Sequence, residues 1–240
     1  MARSKDPEIL GECAYCPEPG TTKDHIPPQT IYAKGTQHKP WVPACRSCNG
    51  GASKDDEYMQ RLAMLWGAEG SKDAAAAEER LFKAFQREEA KGLQIEMLAS
   101  LSPLSPEEEL LFPGGINIAL QGDRLGRITD KLVRGWWYKL TNGLKIPSEH
   151  SIMKYTLGDR KKPNPLYEFN EKEIGKCPGF FSGDYAFSMQ MAYCPNSQLT
   201  CWRFIFYKAF GIMAYTCREH EEDFDILDLR KPYSVIDYGD

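Results

Sequence analysis

The pattern of hydrophobic and polar positions divides the chain into stretches of different character. Residues 10–52 are rich in Gly, Pro, Cys and polar residues and have no long apolar period, so they lack the side chains of an ordinary core. Residues 53–98 carry apolar side chains at helical spacing, which predicts one helix opening at the Ser53–Asp56 capping box and another from Lys72 to about Glu89. Residues 98–115 contain three prolines and a glycine pair, which is typical of a linker.

The second half of the chain combines one helical stretch with several strand-like runs. A helix is predicted over Asp123–Leu140, ended by Asn142 and Gly143. Short connections between the runs that follow favour an antiparallel sheet. These runs are rich in aromatic and β-branched residues and lie at Ile152–Leu157, Tyr185–Tyr193, Thr200–Tyr207 and Gly211–Cys217.

The fold class predicted from these patterns is α+β, in three parts. Residues 1–60 form a small module that needs a staple, residues 61–115 a helical segment and linker, and residues 116–240 an α+β domain. This last domain is expected to recognise a substrate or a partner.

Composition narrows the classes of protein to consider. With 240 residues, 42% of them hydrophobic and 27% charged, the chain has the profile of a soluble globular protein. No run approaches the eighteen or so apolar residues of a transmembrane helix, and the N-terminus has no apolar signal core, so we expect a cytoplasmic protein without a membrane partner. A net charge of -4 means that any contact with nucleic acid needs a local basic surface.

Four of the eight cysteines have the spacing of a metal site. Cys13-x-x-Cys16 and Cys45-x-x-Cys48 are two pairs separated by 28 residues. Four thiolates fill the tetrahedral shell of Zn²⁺ and leave no position for water, so we predict a structural zinc that replaces the missing core. Four unrelated buried or free cysteines are the alternative.

The other four cysteines have no such spacing. For these residues, buried free thiols are favoured over a second metal site. They are Cys177, Cys194, Cys201 and Cys217.

Three residues near the cysteine pairs are candidates for hydrolytic chemistry. Asp24 and His25 lie between the pairs, and Asn49 follows the last cysteine. Hydrolysis of a phosphodiester needs an activated water, which a histidine of near-neutral pKa can deprotonate. It also needs charge neutralisation, which a divalent ion held by carboxylate and amide oxygens supplies. Pro27 and Pro28 are expected to end a strand just after His25.

These residues carry a resemblance to a known family. Cys13-x-x-Cys16, Asp24-His25-Ile26-Pro27 and Val42-Pro43-Ala44-Cys45-Arg46-Ser47-Cys48-Asn49 resemble the HNH endonucleases, also called ββα-metal or His-Me finger nucleases. The resemblance covers about the first sixty residues. It implies that His25 is the general base at the end of the first strand. It also implies that Asp24 and Asn49, at the start of the helix, hold a catalytic divalent ion such as Mg²⁺.

One position departs from that family, and simpler interpretations of the site stay open. Trp41 stands where the family usually has an asparagine that fixes the loop, so packing of Trp41 is expected to do this instead. His25 could be a surface residue or could merely shape the loop, and Asp24 could be a turn carboxylate. Asn49 could be a left-handed cap before two glycines.

A basic segment is the candidate surface for nucleic acid. Between Asp123 and Lys162 there are ten basic residues and four acidic ones. Arg127, Lys131 and Arg134 fall on one helix face, where they could neutralise phosphates, although such a stripe is often only a solvated surface. The adjacent Trp136 could stack on bases, but core packing is the more common role. The acidic tail from Glu219 to Asp240 is expected to be exposed.

The function predicted from the sequence is a metal-dependent HNH endonuclease with DNA as substrate. The resemblance also suggests genome defence or DNA processing in bacteria or phages, with a protein partner in a larger complex as an option. The alternative is a zinc-ribbon module that binds nucleic acid or protein without cutting. Asp24, His25 and Asn49 distinguish the two, since a binding module has no use for a base beside oxygen ligands.

Overall fold

The computed structural model describes residues 8–65, 72–86, 91–106, 116–147, 150–156, 174, 177, 179–194, 199–208 and 210–218. Within them the chain is a mixture of helices and antiparallel sheets, which confirms the predicted α+β class. Positions 160–162 of the predicted basic segment and the acidic tail from Glu219 to Asp240 lie outside these residues.

The N-terminal residues form two short hairpins followed by a helix. Strands β1 (Gly11–Glu12) and β2 (Pro19–Gly20) pair with each other, and β3 (Thr22–His25) pairs with β4 (Trp41–Ala44). Helix α1 (Arg46–Gly51) follows directly, with Cys45 at its N-cap. Strand β3 ends at His25 before the proline pair, as predicted, because proline has no N–H to donate to the ladder.

The middle of the chain is helical. Helices α2 (Ser53–Leu65) and α3 (Lys72–Phe85) match the two predicted helices. Two differences from the prediction follow. Helix α4 (Lys91–Ala99) was not predicted as a separate helix, and β5 (Leu101–Pro103) lies within the predicted linker. Strand β5 pairs with β6 (Ile116–Ile118). The linker was predicted from its prolines, yet its two ends form this strand pair.

One long helix and one sheet make up the rest of the described chain. Helix α5 (Gly122–Leu140) ends at Asn142 and Gly143, which both have positive φ, as predicted. The strands are β7 (His150–Thr156), β8 (Gly179–Ser182), β9 (Phe187–Cys194), β10 (Leu199–Phe206) and β11 (Phe210–Arg218). They form an antiparallel sheet in the order β7-β11-β10-β9-β8. The sequence predicted all of these strands except β8.

Helix α5 packs both on the N-terminal hairpin and on the large sheet. Its buried side chains recur at helical spacing and join Ile26, Val42, Met59 and sheet residues in one hydrophobic cluster. Trp136 is 1% exposed and stacks on Phe187 of β9, with ring centroids 6.0 Å apart. Its role is therefore core packing, and α5 fixes the surface on which the candidate site is built.

Asp73 at the start of α3 ties two loops to the helix. It is buried, and its carboxylate accepts hydrogen bonds from the backbone N–H of Ala33, from the Thr36 hydroxyl at 3.0 Å and from the N–H of Asp184. Asp184 in turn accepts a bond from the N–H of Lys72 at 2.9 Å. These reciprocal bonds connect the loop after β3 to the turn between β8 and β9.

Replacing Asp73 with asparagine is expected to destabilise the fold by about 2–3 kcal/mol, because hydrogen bonds to a buried charged group are strong and the new amide NH₂ would face an N–H donor. Urea unfolding measures this free energy. Glu79→Gln on the same helix is the matched control. Among the described residues Glu79 pairs with Lys83 at the surface, so its loss should cost less than about 1 kcal/mol. Equal effects of the two substitutions would contradict the assigned role.

Candidate metal centre and active site

The four motif cysteines converge on one point. Among the described residues, the sulfur atoms of Cys13, Cys16, Cys45 and Cys48 all lie within 4.8 Å of one another. The sulfurs of Cys16 and Cys45 are 3.7 Å apart. Tetrahedral zinc with Zn–S bonds of about 2.3 Å holds neighbouring sulfurs about 3.8 Å apart, so the group could hold one zinc ion.

Backbone amides support the sulfurs in a thiolate state. The N–H of Cys48 donates to the Cys45 sulfur at 3.4 Å, and the N–H of Tyr15 donates to the Cys13 sulfur at 3.5 Å. The bond from Cys48 is the main reason why the pKa of Cys45 is lowered to about 7, whereas burial raises the pKa of Cys16 and of Cys48 when no ion is bound. Zinc binds thiolate and not thiol, so the chemistry of this donor set fits the ion.

Strands β3 and β4 present Asp24 and His25 on opposite faces of the hairpin. Asp24 lies opposite Val42 and points into the protein with 3% of its surface exposed, whereas His25 lies opposite Trp41 and is half-buried. The ammonium group of Lys23 lies 4.5 Å from the centre of the Trp41 ring. Lys23 of β3 thus packs on Trp41 of β4. Trp41 stands at the position where the family that the sequence resembles usually has an asparagine.

His25 is suited to accept a proton. Its Nδ1 is buried and has no hydrogen-bond partner among the described residues. Burial is the main cause that lowers the pKa of His25 below its usual 6.5, against the opposing effect of Asp24. Burial thus favours the neutral imidazole, the state a general base requires.

Helix α1 holds Asn49 against β3. The side-chain Nδ2 of Asn49 donates to the Thr22 hydroxyl at 3.0 Å and to the carbonyl of Lys23 at 3.3 Å. Its amide oxygen takes part in neither bond. Asn49 thus lies beside the strand that carries Asp24 and His25, which brings the three candidate residues into one hairpin-and-helix unit.

The Asp24 carboxylate is engaged in an ion pair with α5. The Lys131 ammonium lies 3.2 Å from Asp24 Oδ1 and also 3.2 Å from Asp56 Oδ2 on α2. The other oxygen, Asp24 Oδ2, is buried with no hydrogen bond of ordinary geometry. The buried Tyr15 hydroxyl lies close to the same carboxylate, and burial together with Asp24 raises the pKa of this tyrosine. Gly135 allows α5 to approach, since a Cβ there would meet a methyl of Ile26.

The predicted basic stripe is mostly occupied by ion pairs. Arg127 forms a bidentate ion pair with Asp55, with hydrogen bonds of 2.7 and 2.9 Å. Lys131 lies between the carboxylates of Asp24 and Asp56. Arg134 lines a cleft between α5 and the segment containing α1 and α2, and it forms no ion pair with the residues that the structure describes. The three side chains therefore do not present one uniform cationic surface.

Sequence reasoning missed the roles of Asp56 and Lys131. It assigned Asp56 to a helix cap, yet the carboxylate bonds to Lys131 at 3.2 and 3.3 Å. A signal existed: Ile128, Lys131, Leu132 and Gly135 follow the i, i+3, i+4, i+7 spacing of a buried helix face. A lysine within such a face requires a buried acidic partner.

The remaining cysteines that the structure describes differ in exposure. Cys201 is buried, as expected, and Cys177 is half-buried. The side chains of Cys194 and Cys217 lie outside the described part.

Two findings complete the description of the site. Within the described residues, no helix is both long and apolar enough to cross a membrane. Comparisons with protein-family models, curated proteins and solved structures give no match to this chain. A functional assignment therefore has to rest on the chemistry of the residues just described.

Proposed function

We propose that the chain is a metal-dependent endonuclease of the HNH type that hydrolyses phosphodiester bonds in DNA. The observation that carries the proposal is the unit formed by β3, β4 and α1. Four cysteines that could hold zinc join the turn between β1 and β2 to the start of α1. The unit carries Asp24 and His25 on opposite faces of β3, and Asn49 of α1 is bonded to the same strand. A zinc knuckle alone needs none of these three side chains.

His25 is the proposed general base. It stands at the last position of β3, half-buried, and its burial lowers the pKa of the imidazole. A neutral imidazole can take a proton from the attacking water, which typically contributes about 10²–10⁴-fold to a rate.

Asp24 and Asn49 are the proposed ligands of a catalytic divalent ion such as Mg²⁺. Carboxylate and amide oxygens suit this class of ion. When bound, the ion would neutralise charge on the phosphate and the leaving oxygen. The bonds of the Asn49 amide nitrogen to Thr22 and Lys23 fix the side chain, so its oxygen has a defined position.

Arg134 is the basic residue of the predicted stripe best placed to approach a phosphate, since it lines the open cleft beside α1. Arg127 and Lys131 would first have to leave their carboxylate partners. From the same resemblance we propose a role in genome defence, with a protein partner in a larger complex as an option.

Supercoiled plasmid tests the proposal directly. The zinc-loaded protein is expected to nick it when Mg²⁺ or Mn²⁺ is added and to leave it intact without added divalent ion, because the four-thiolate site has no open position for chemistry. Conversion to open-circle DNA on a gel measures this. Metal-independent nicking, or no nicking with any divalent ion, would contradict the proposal.

A non-catalytic zinc module that binds nucleic acid or protein is the second candidate. One observation favours it: Lys131 already neutralises Asp24, as a structural ion pair would. DNA binding in a mobility-shift assay, without nicking under any metal, would support this candidate.

A further inference from the structure

The cluster around Lys131 has features that a structural ion pair does not need. Two carboxylates from different elements, Asp24 on β3 and Asp56 on α2, both lie within 3.3 Å of one ammonium group. The side chains are 4% and 19% exposed, and Lys131 is 12% exposed. The cluster therefore concentrates negative charge around one cation in a shielded place.

Asp24 retains unused capacity to bind a cation. Although 3% exposed, it leaves Oδ2 without a hydrogen bond of ordinary geometry. A buried carboxylate oxygen normally finds a donor, since leaving it unsatisfied costs roughly 1–3 kcal/mol or more for a charged group. The Tyr15 hydroxyl lies close to this carboxylate and would have to give way before Oδ2, beside a second carboxylate, becomes a ligand for a metal ion.

A route from solvent to this cluster exists. Asp56 and Lys131 both line the cleft that Arg134 and Ser47 border, whereas Asp24 is 3% exposed and does not line it. An ion that enters from solvent thus meets Asp56 first. It reaches Asp24 only when the Lys131 side chain moves outward into the cleft.

We propose that Asp24 and Asp56 form a divalent-cation site in which the Lys131 ammonium is a resident competitor. This inference rests on the proposed function in one respect, because Asp24 is a metal ligand in both. It adds Asp56 as a ligand and makes metal loading an exchange, in which the incoming ion displaces Lys131. A Mg²⁺- or Mn²⁺-type ion binds oxygen at about 2.0–2.2 Å, so the carboxylates draw closer as Lys131 leaves.

Exchange has a consequence for affinity. The ion must compete with an attached positive charge a few ångströms away, so the protein with Lys131 binds divalent ions weakly. A phosphate entering the cleft could bind the released ammonium and thereby favour the metal-loaded state. Metal and an anionic substrate are then expected to bind cooperatively.

Mn²⁺ titration of the zinc-loaded full chain, followed by electron paramagnetic resonance of free Mn²⁺, tests the inference without DNA. Lys131→Met is expected to tighten Mn²⁺ binding by about tenfold or more, since a competing unit charge is removed. Lys139→Met, an exposed position on the same helix, is the matched control and should leave the affinity unchanged. Unchanged or weaker binding by a folded Lys131→Met protein would overturn the inference.

Asp56→Asn covers the case in which Lys131→Met fails to fold. This variant keeps the Lys131–Asp24 pair and is expected to weaken Mn²⁺ binding by about tenfold, because one charged ligand is lost. An affinity equal to that of the wild type would show that Asp56 is no ligand, and the inference would be wrong. Because neither titration involves cleavage, a protein that shows both shifts but never nicks DNA refutes only the proposed function. A protein that nicks DNA but shows neither shift in Mn²⁺ affinity refutes only the cation site.

Discussion

Replacing Cys45 with serine is expected to abolish zinc binding and to unfold the N-terminal hairpins. Cys45 supplies one of four sulfurs and also caps α1, and a serine hydroxyl is not a comparable zinc ligand. Zinc contributes about 10–16 kcal/mol in small zinc modules, a larger effect than any other single change considered for this chain. Metal analysis by mass spectrometry should fall from one zinc per chain to well below one.

The structural consequence can be located along the chain. Strands β1 to β4 are only 2–4 residues long, and Cys13, Ala44 and Cys45 form a small apolar cluster of their own around the site. Without metal, this cluster is too small to hold the strands. Amide hydrogen exchange should therefore lose protection in β3 and β4, while β9 to β11 keep theirs.

Cys177→Ser is the matched control for this experiment. Cys177 lies outside the four-sulfur group, so its substitution should leave zinc content at one per chain. A Cys45→Ser protein with full zinc content and protected β3 amides would show that the four sulfurs do not form the zinc shell.

Replacing His25 with asparagine is expected to lower the rate of metal-dependent DNA nicking by about 10²–10⁴-fold, the usual contribution of a general base. Asparagine keeps a polar side chain of similar reach but cannot accept the proton of the attacking water. His25 is half-buried at the end of β3 and its Nδ1 has no partner, so the substitution breaks no described hydrogen bond of that atom. Zinc content and the thermal unfolding midpoint should therefore change little.

His38→Asn is the matched control for the loss of a histidine. His38 is exposed in the loop between β3 and β4 and has a φ of 53°, a conformation that asparagine adopts readily. This variant should nick at the rate of the wild type. If His25→Asn stays folded and cuts equally well, another group is the base and the assigned mechanism is wrong.

Local patterns predicted the elements whose signals are strong and regular. Some signals act through residues that are close together in the chain, so the structures they form could be predicted from the sequence. They are the Cys-x-x-Cys pairs, the proline pair after His25 and the amphipathic stretch of α5. β8 and β5 were missed because a strand of three or four residues takes its stability from its partner, β9 or β6, and not from its own composition.

The sequence alone determined the donor set of the metal centre: four sulfurs in two spaced pairs that could hold zinc, with an acid, an imidazole and an amide close by in the chain. Only the tertiary structure decided what surrounds them. The ammonium of Lys131 lies between Asp24 and Asp56, although 107 residues in sequence separate Lys131 from Asp24 and 75 separate it from Asp56. The physical reason is that ligand spacing acts over a few residues, whereas the partner of a buried charge is set by which helix face packs against it.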